Sequence, residues 1–164
     1  KQAPVTLVEF SDMQCPHCQK AHSLLEDNLQ KMFGDKVRWI FKHYPLKRIH
    51  PWAYPAAIAV SCAGLQNPQF FFSLQSYFFK EQASLTESNF KPRALEIAKT
   101  SGVNISTFQK CLDQEETKGL VEADIKEGDS LGVRGTPSIF INGRRTHSFE
   151  FEEIRAIIEE MLNK

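Results

Sequence analysis

The feature that most constrains this chain is Cys15-Pro16-His17-Cys18, two thiols three residues apart. The apolar run at residues 5–10 predicts a buried strand before the motif, and apolar residues recur at helical spacing after it. The motif therefore lies where the C-terminal end of a strand meets the N-terminus of a helix. Free backbone N–H groups and the positive end of the helix dipole at this place favour a thiolate.

Each residue of the motif has an expected role. Cys15 is predicted to face outward with a lowered pKa, and Cys18 to lie one turn behind it, as a pair that alternates between dithiol and disulfide. Pro16 suits the first helical position, where its missing N–H costs nothing, and His17 would add charge beside the Cys15 sulfur. A structural disulfide and half a zinc site completed by His22 remain alternatives. No second Cys-x-x-Cys or His-x-His supplies a good fourth ligand, so no metal is predicted.

Length and composition set the broad class. A chain of 164 residues with 41% hydrophobic residues fits one domain, or one domain with an insertion. The net charge of zero gives no basic surface for nucleic acid. No apolar stretch is long enough to cross a membrane, and the first strand begins too early for a signal peptide within this sequence. Four cysteines, an even count, permit an oxidising compartment.

Glu9 is an acid within the otherwise apolar first strand. If that strand is central, burial should raise the pKa of Glu9, and the carboxyl group could accept a proton from Cys18. Alternatively, Glu9 is a strand-end acid that reaches solvent. Lys42, in the second predicted strand at residues 37–43, could pair with Glu9, although a lysine there more often extends to water.

The middle of the chain is helical in pattern from about residue 49 to residue 130. We therefore predict one domain formed by residues 1–48 and 131–164, interrupted by an inserted all-helical subdomain at 49–130. Helices in the insertion should end at Gly64 and Gly102. Pro92 and Ser106 are expected at helix starts in the insertion, and Ser148 as the cap of the last helix. His43 and His50 are expected to be surface or loop residues.

Cys62 and Cys111 both lie on apolar helix faces of the insertion. They are either two buried thiols or a structural disulfide, and the redox motif favours the disulfide. Neither has a second cysteine at the same short spacing, so no catalytic role is assigned.

The C-terminal part predicts a hairpin and a helix. Gly135-Thr136-Pro137 precedes a short β-branched run, and Asn142-Gly143 is a strong two-residue hairpin signal. An amphipathic helix follows over about residues 149–162. A proline at the start of a strand belongs at an edge or in a special turn, and a cis bond there would leave backbone groups free for a peptide.

Together these motifs resemble the thioredoxin fold, and within it the DsbA-like branch. The resemblance covers the whole chain: Cys15-Pro16-His17-Cys18 after the first strand, the helical insertion, His50-Pro51 before the helix with Cys62, and Thr136-Pro137 before the third strand. It implies an α/β fold with βαβ and ββα halves and a central mixed sheet. It also implies a cis Pro137 packed against Cys15 and Cys18, Thr136 in contact with the substrate backbone, and Glu9 as the family's buried acid.

The resemblance further implies a protein disulfide oxidoreductase that works without a cofactor, through the Cys15–Cys18 disulfide. Its substrates would be unfolded or partly folded proteins with free thiols, and a membrane redox partner would reoxidise it. We expect a monomer in the periplasm or another extracytoplasmic compartment. A disulfide reductase or isomerase on the same fold, a redox-inactive peptide-binding module and a zinc-binding structural domain are the alternatives.

Overall fold

A computed structural model describes residues 3–163. Within these residues a four-stranded mixed sheet has the order β2-β1-β3-β4. β1 (Val5–Ser11) is central and parallel to β2 (Val37–His43), and it is antiparallel to β3 (Ser138–Ile141) on its other side. β4 (Arg144–Arg145) completes the hairpin. The strands and the βαβ–ββα order confirm the predicted thioredoxin-like fold.

Helices flank the sheet and fill the connection between β2 and β3. The first helical stretch is α1 (Pro16–Leu24), which continues as a π-helical segment, Leu25–Gln30, into α2 (Lys31–Phe33) and a 3₁₀ turn, Gly34–Lys36. The remaining helices are α3 (Ala53–Gln66), α4 (Pro68–Lys80), the 3₁₀ turn Gln82–Ser84, α5 (Phe90–Thr100), α6 (Ile105–Gln114), α7 (Lys118–Ser130) and α8 (Phe151–Leu162). Helices α3–α7 therefore form a helical insertion between β2 and β3.

The core is divided between the sheet and the insertion. One apolar cluster joins β1 and β3 to α8 and the first helical stretch, through residues such as Leu7, Ile139 and Ile154. The larger cluster lies in the insertion, and it includes Cys15 and Cys18. The redox motif is thus packed against the insertion as well as attached to the sheet.

The predicted stop at Gly64 is wrong, because α3 continues to Gln66. A Cβ on Gly64 would lie 3.2 Å from the Cβ of Phe71 on α4. Gly64 therefore serves the close approach of two helices rather than the end of one. Tertiary packing decides this, since a glycine in a helix can mark either role.

Several predicted helix starts are also shifted. Asn89 is the residue before α5, which begins two residues ahead of Pro92. Asn104, not Ser106, caps α6, and its side chain accepts a hydrogen bond from Thr107 N. The last helix begins after Glu150, and the Ser148 hydroxyl accepts a hydrogen bond from Glu150 N. Neighbouring polar residues compete for the cap, and sequence alone ranks them poorly.

None of the helices in residues 3–163 is long and apolar enough to cross a membrane.

Candidate active site

The two thiols of the motif sit at the N-terminus of α1. Cys15 is the residue that precedes the helix, and Pro16 occupies its first position. Cys18 is completely buried, and Cys15 is only 4% exposed. The expectation that Cys15 faces outward is therefore wrong, because the insertion and the Thr136–Pro137 turn cover it. Both cysteines are free thiols in this structure.

The surroundings of Cys15 favour its thiolate. The hydrogen bond from the Cys18 side chain is the largest effect, and it is opposed by burial. The backbone N–H groups of Cys18 and His17 and the hydroxyl of Thr136 act in the same direction as the Cys18 thiol. The result lowers the pKa of Cys15 to about 5. This is the arrangement expected of a reactive cysteine at a helix N-terminus.

The surroundings of Cys18 have the opposite effect, because they disfavour its thiolate. Burial raises the pKa of Cys18 strongly, and the neighbouring Cys15 and Glu9 raise it further. Burial also raises the pKa of Glu9 to about 7, although Ser11 lowers it. Glu9 is 6% exposed, so the alternative of an acid that reaches solvent is wrong. The site therefore combines three groups: the Cys15 thiol, which ionises readily, the Cys18 thiol, which resists ionisation, and the Glu9 carboxyl group, which can hold a proton near neutral pH.

A small cavity lies beside Glu9. It has a volume of about 40 Å³ and is lined by Glu9, His22, Glu26 and Gln75 among others, which is room for a water molecule. Burial lowers the pKa of His22 to about 4. His22 and Glu26 also line a groove on the outer surface, so the Glu9 cavity and this groove are adjacent.

Lys42 does not pair with Glu9. Its amine is 2.8 Å from Asp124 Oδ1 and 3.0 Å from Glu127 Oε2, both on α7. In the parallel register Glu9 lies beside Phe41, whereas Lys42 lies beside Phe10. Because successive residues of a strand point to opposite faces, Lys42 and Glu9 lie on different sides of the sheet.

His17 contributes to the site through its backbone rather than its ring. The imidazole lies 6.2 Å from the ring of Phe149, centre to centre, and the residue is exposed. The His17 N–H is one of the groups that lower the pKa of Cys15. A charge on the ring beside the Cys15 sulfur stays a prediction.

Thr136 and Pro137 meet the motif from the far end of the chain. Their peptide bond is cis, and the Cys15 thiol donates a hydrogen bond of 3.4 Å to Thr136 O. Thr136 Oγ1 is buried and forms no hydrogen bond of good geometry within the described residues. A groove of about 370 Å³ opens next to this turn, lined by His17, Pro137, Phe149 and neighbouring residues.

The structure also shows the contacts of the remaining cysteines and histidines that the sequence singled out. Cys62 on α3 and Cys111 on α6 form a disulfide, with 5.9 Å between their Cα atoms. His43 is buried and contacts Ser61 Oγ at 3.0 Å, so it is not a surface residue. His50 Nδ1 lies 2.7 Å from Asp12 Oδ2. Over the part of the chain that the structure describes, no cluster of three or more histidine, cysteine or acidic residues could hold a metal ion.

Two contributors to the site were missed from the sequence. The amide of Gln82 donates to Met13 O at 2.7 Å and to Cys15 O at 3.0 Å, from a turn at the end of α4. The N–H of Asp12 donates to Cys18 Sγ at 3.4 Å. Gln82 carries no recognisable signal in the sequence, whereas Asp12 is an acid three residues before Cys15.

Three features occur together in this chain: a pair of buried thiols at a helix N-terminus, a cis-proline turn facing them, and a helical insertion. They define the class of DsbA-like thiol–disulfide oxidoreductases of the thioredoxin fold. A family model described as "Thioredoxin" matches residues 1–160. The chain belongs to this thioredoxin family.

Curated relatives match this chain over most of its length. The chain is 29% identical to disulfide bond formation protein D of Bacillus subtilis, over 98% of this chain and 73% of that protein. It is 32% identical to a Na(+)/H(+) antiporter, NhaA 1, of Mycolicibacterium gilvum, over 87% of this chain. The chain spans only 22% of the length of that antiporter.

Solved structures give the same architecture. The oxidised crystal structure of BdbD from Bacillus subtilis superposes with a TM-score of 0.89 at 26% identity, and the match covers 100% of this chain and 90% of BdbD. The structure of α-DsbA1 from Wolbachia pipientis has a TM-score of 0.83 at 19% identity, over 99% of this chain and 87% of the other. The second likeness is one of fold alone.

Proposed function

We propose that this chain oxidises cysteine pairs in unfolded or partly folded proteins. A substrate thiolate attacks Sγ of Cys15 in the oxidised form, the Cys15–Cys18 bond breaks, and its electron pair passes to Cys18 Sγ. The second substrate thiolate then attacks the mixed disulfide, and Cys15 leaves as a thiolate. The lowered pKa of Cys15 is the observation that carries this proposal. No cofactor is required beyond the Cys15–Cys18 disulfide.

The oxidising direction follows from which redox state the site stabilises. A thiolate at Cys15 exists only after reduction, so each interaction that favours the anion favours the reduced protein. A protein with a stabilised reduced form accepts electrons from its substrates. A reductase or isomerase on the same fold needs a weaker preference for the reduced state.

We expect the reduced protein to melt at a higher temperature than the oxidised protein at pH 7. The folded pKa of Cys15, about 5, lies below the ordinary value of 9.0. The resulting stabilisation is complete above the unfolded pKa, decreases as the pH falls, and is lost as the pH falls through about 5. At pH 7 it amounts to about 3 kcal/mol, against about 2 kcal/mol for the constraint that a four-residue disulfide loop places on the unfolded chain.

Calorimetry of both redox states from about pH 4 to pH 8 measures this difference. The sign should reverse near about pH 6, where the two contributions are equal, and the oxidised form should melt higher below that pH. Mass spectrometry after alkylation must show that Cys62–Cys111 stays intact in the reduced sample. An oxidised form that melts higher throughout would contradict the oxidising direction.

We propose that Glu9 delivers a proton to Cys18 as the disulfide opens. The buried Cys18 thiolate is strongly destabilised, and Glu9, with its pKa raised to about 7, is partly protonated at neutral pH. We expect Glu9→Gln to slow the reduction of the oxidised protein by dithiothreitol about tenfold at neutral pH. Stopped-flow fluorescence measures the rate.

Glu26→Gln is the matched control for Glu9→Gln. Glu26 lines the same cavity but contacts His22 and Ser76, so its replacement should change the rate much less than Glu9→Gln does. Equal rates for wild type and Glu9→Gln would rule out the proton-transfer role.

The groove beside Pro137 is where we propose that the substrate backbone binds. Thr136 and Pro137 line it together with His17 and Phe149, and Thr136 O is within reach of the Cys15 sulfur. We infer that a substrate segment lies along this turn while its sulfur is joined to Cys15. The mixture of apolar and polar lining suits varied sequences.

The setting of the reaction is part of the same proposal. We infer an extracytoplasmic, monomeric protein that a membrane redox partner reoxidises. The Cys62–Cys111 disulfide supports the compartment, because such bonds persist in oxidising surroundings. We also propose the division into a thioredoxin-like part, 1–48 with 131–164, and a helical part, 49–130.

A further inference from the structure

Asp12 is a buried acid that the proposed proton transfer does not use. It lies in the loop between β1 and α1, and its side chain is 0% exposed. One carboxylate oxygen accepts a hydrogen bond of 2.7 Å from Gln14 N. The other accepts from Leu46 N at 2.8 Å and from His50 Nδ1 at 2.7 Å. Because a carboxylate only accepts hydrogen bonds, His50 carries the hydrogen on Nδ1.

The backbone of Asp12 contacts both active-site cysteines. Its N–H donates to Cys18 Sγ at 3.4 Å, and its carbonyl accepts from Cys15 N at 3.0 Å. The position of Asp12 therefore sets the turn before α1. It also sets the direction of the Asp12 N–H, which is the only backbone donor to the Cys18 sulfur among the described residues.

The anchor of Asp12 comes from the other side of the site. Leu46 and His50 lie in the loop between β2 and α3, 34 and 38 residues along the chain. A buried carboxylate is costly unless donors surround it, and three donors meet this one. The pair Asp12–His50 therefore connects the loop before the helical insertion to the turn that carries the thiols.

We propose that Asp12 is a positioning residue for thiol–disulfide exchange and that His50 holds it in place. This inference rests on the proposed function. When a substrate thiolate attacks Cys15 Sγ, the Cys15–Cys18 bond breaks and the electron pair goes to Cys18 Sγ. The Asp12 N–H stabilises this new charge until the proton from Glu9 arrives. His50 keeps the N–H aligned through the Asp12 carboxylate.

A positioning role and a merely structural role of His50 predict different effects when the His50 contact is lost. The turn has other supports, since Gln82 donates to two of its carbonyls and the side chain of Gln14 accepts from Trp52 N. Loss of the His50 contact should therefore leave the fold intact and misalign the donor. The N–H acts on the leaving sulfur during the reaction. Its loss should lower rates in both directions and leave the equilibrium with glutathione and the pKa of Cys15 unchanged.

The test compares His50→Leu with His50→Asn, whose amide can replace the Nδ1 donor. We expect His50→Leu to lower the second-order rate constant with reduced glutathione about tenfold, the size of a weakened hydrogen bond to a charged group. His50→Asn should restore most of the rate. Ultraviolet titration of the Cys15 thiolate and the glutathione equilibrium constant should match wild type in both variants.

His43→Leu is the matched control. His43 makes a buried histidine contact between β2 and α3, to Ser61 at 3.0 Å, without touching either thiol. We expect it to lower the melting temperature but to keep the wild-type rate. If His50→Leu does not fold, Asp12→Asn, which keeps the volume and one acceptor oxygen, takes its place under the same criteria.

The outcomes separate this inference from the proposed function. A wild-type rate in His50→Leu, an equal loss in His43→Leu, or a slow His50→Asn that is fully folded would each overturn the positioning role while the exchange chemistry stands. A wild-type protein that does not react with glutathione would overturn the proposed function and the positioning role together.

Discussion

Cys18→Ser should accumulate a mixed disulfide between Cys15 and substrate proteins. The nucleophile is retained, with its N-terminal helix amides and the Thr136 hydroxyl, but the internal thiol that would displace the substrate is gone. Incubation with an unfolded protein whose cysteine is activated as a mixed disulfide with a small aromatic thiol should give a covalent adduct, and the aromatic thiolate is the leaving group. Non-reducing electrophoresis measures it, and a reductant should dissolve it.

Cys15→Ser is the control for this trapping experiment. It should give no adduct and no oxidation of substrate thiols, because Cys18 is completely buried and its pKa is raised. An adduct of equal yield through Cys18 would mean that the roles of the two thiols are reversed. Binding of unfolded chains by both variants without any covalent product would favour the redox-inactive peptide-binding module.

Replacement of both Cys62 and Cys111 by Ala should lower the free energy of unfolding by about 4 kcal/mol. The disulfide joins residues 49 apart, and closing a loop of that length removes conformational freedom from the unfolded chain. The expected fall in melting temperature is about 10 °C for a domain of this size. Denaturant unfolding and calorimetry measure the two quantities.

Single replacements of Cys62 or Cys111 provide the comparison. Each breaks the same bond, so each should lose nearly as much stability as the double variant. The rate with glutathione at a temperature where all variants are folded should stay at the wild-type value, because the disulfide lies between α3 and α6 and touches neither active-site thiol. A double variant within about 1 kcal/mol of wild type would contradict the chain-entropy argument.

The local parts of the site were predictable because short-range physics fixes them. The apolar run, the thiol spacing and Pro16 placed Cys15 before α1, where free amides favour an anion. The hairpin signal at Asn142-Gly143 was equally direct. The register of β1 and β2 was not, and it decided that Lys42 pairs with α7 rather than with Glu9.

Contacts between distant residues had no such signal. Thr136 meets Cys15 across 121 residues, and Asp12 meets His50 across 38. Only the family resemblance placed Thr136-Pro137 near the thiols, and the sequence neighbours of Asp12 and His50 do not reveal that these two residues meet. Only the folded sheet and insertion bring these groups within hydrogen-bond distance.

The sequence by itself determined the chemistry at hand: two cysteines at a strand–helix junction, one of them suited to carry a negative charge. Tertiary structure decided how that chemistry is controlled, through the burial of Glu9 and Cys18 and the covering of Cys15. The physical reason is range. Helix amides act over one turn of chain, whereas burial and long-distance hydrogen bonds exist only once remote segments have packed together.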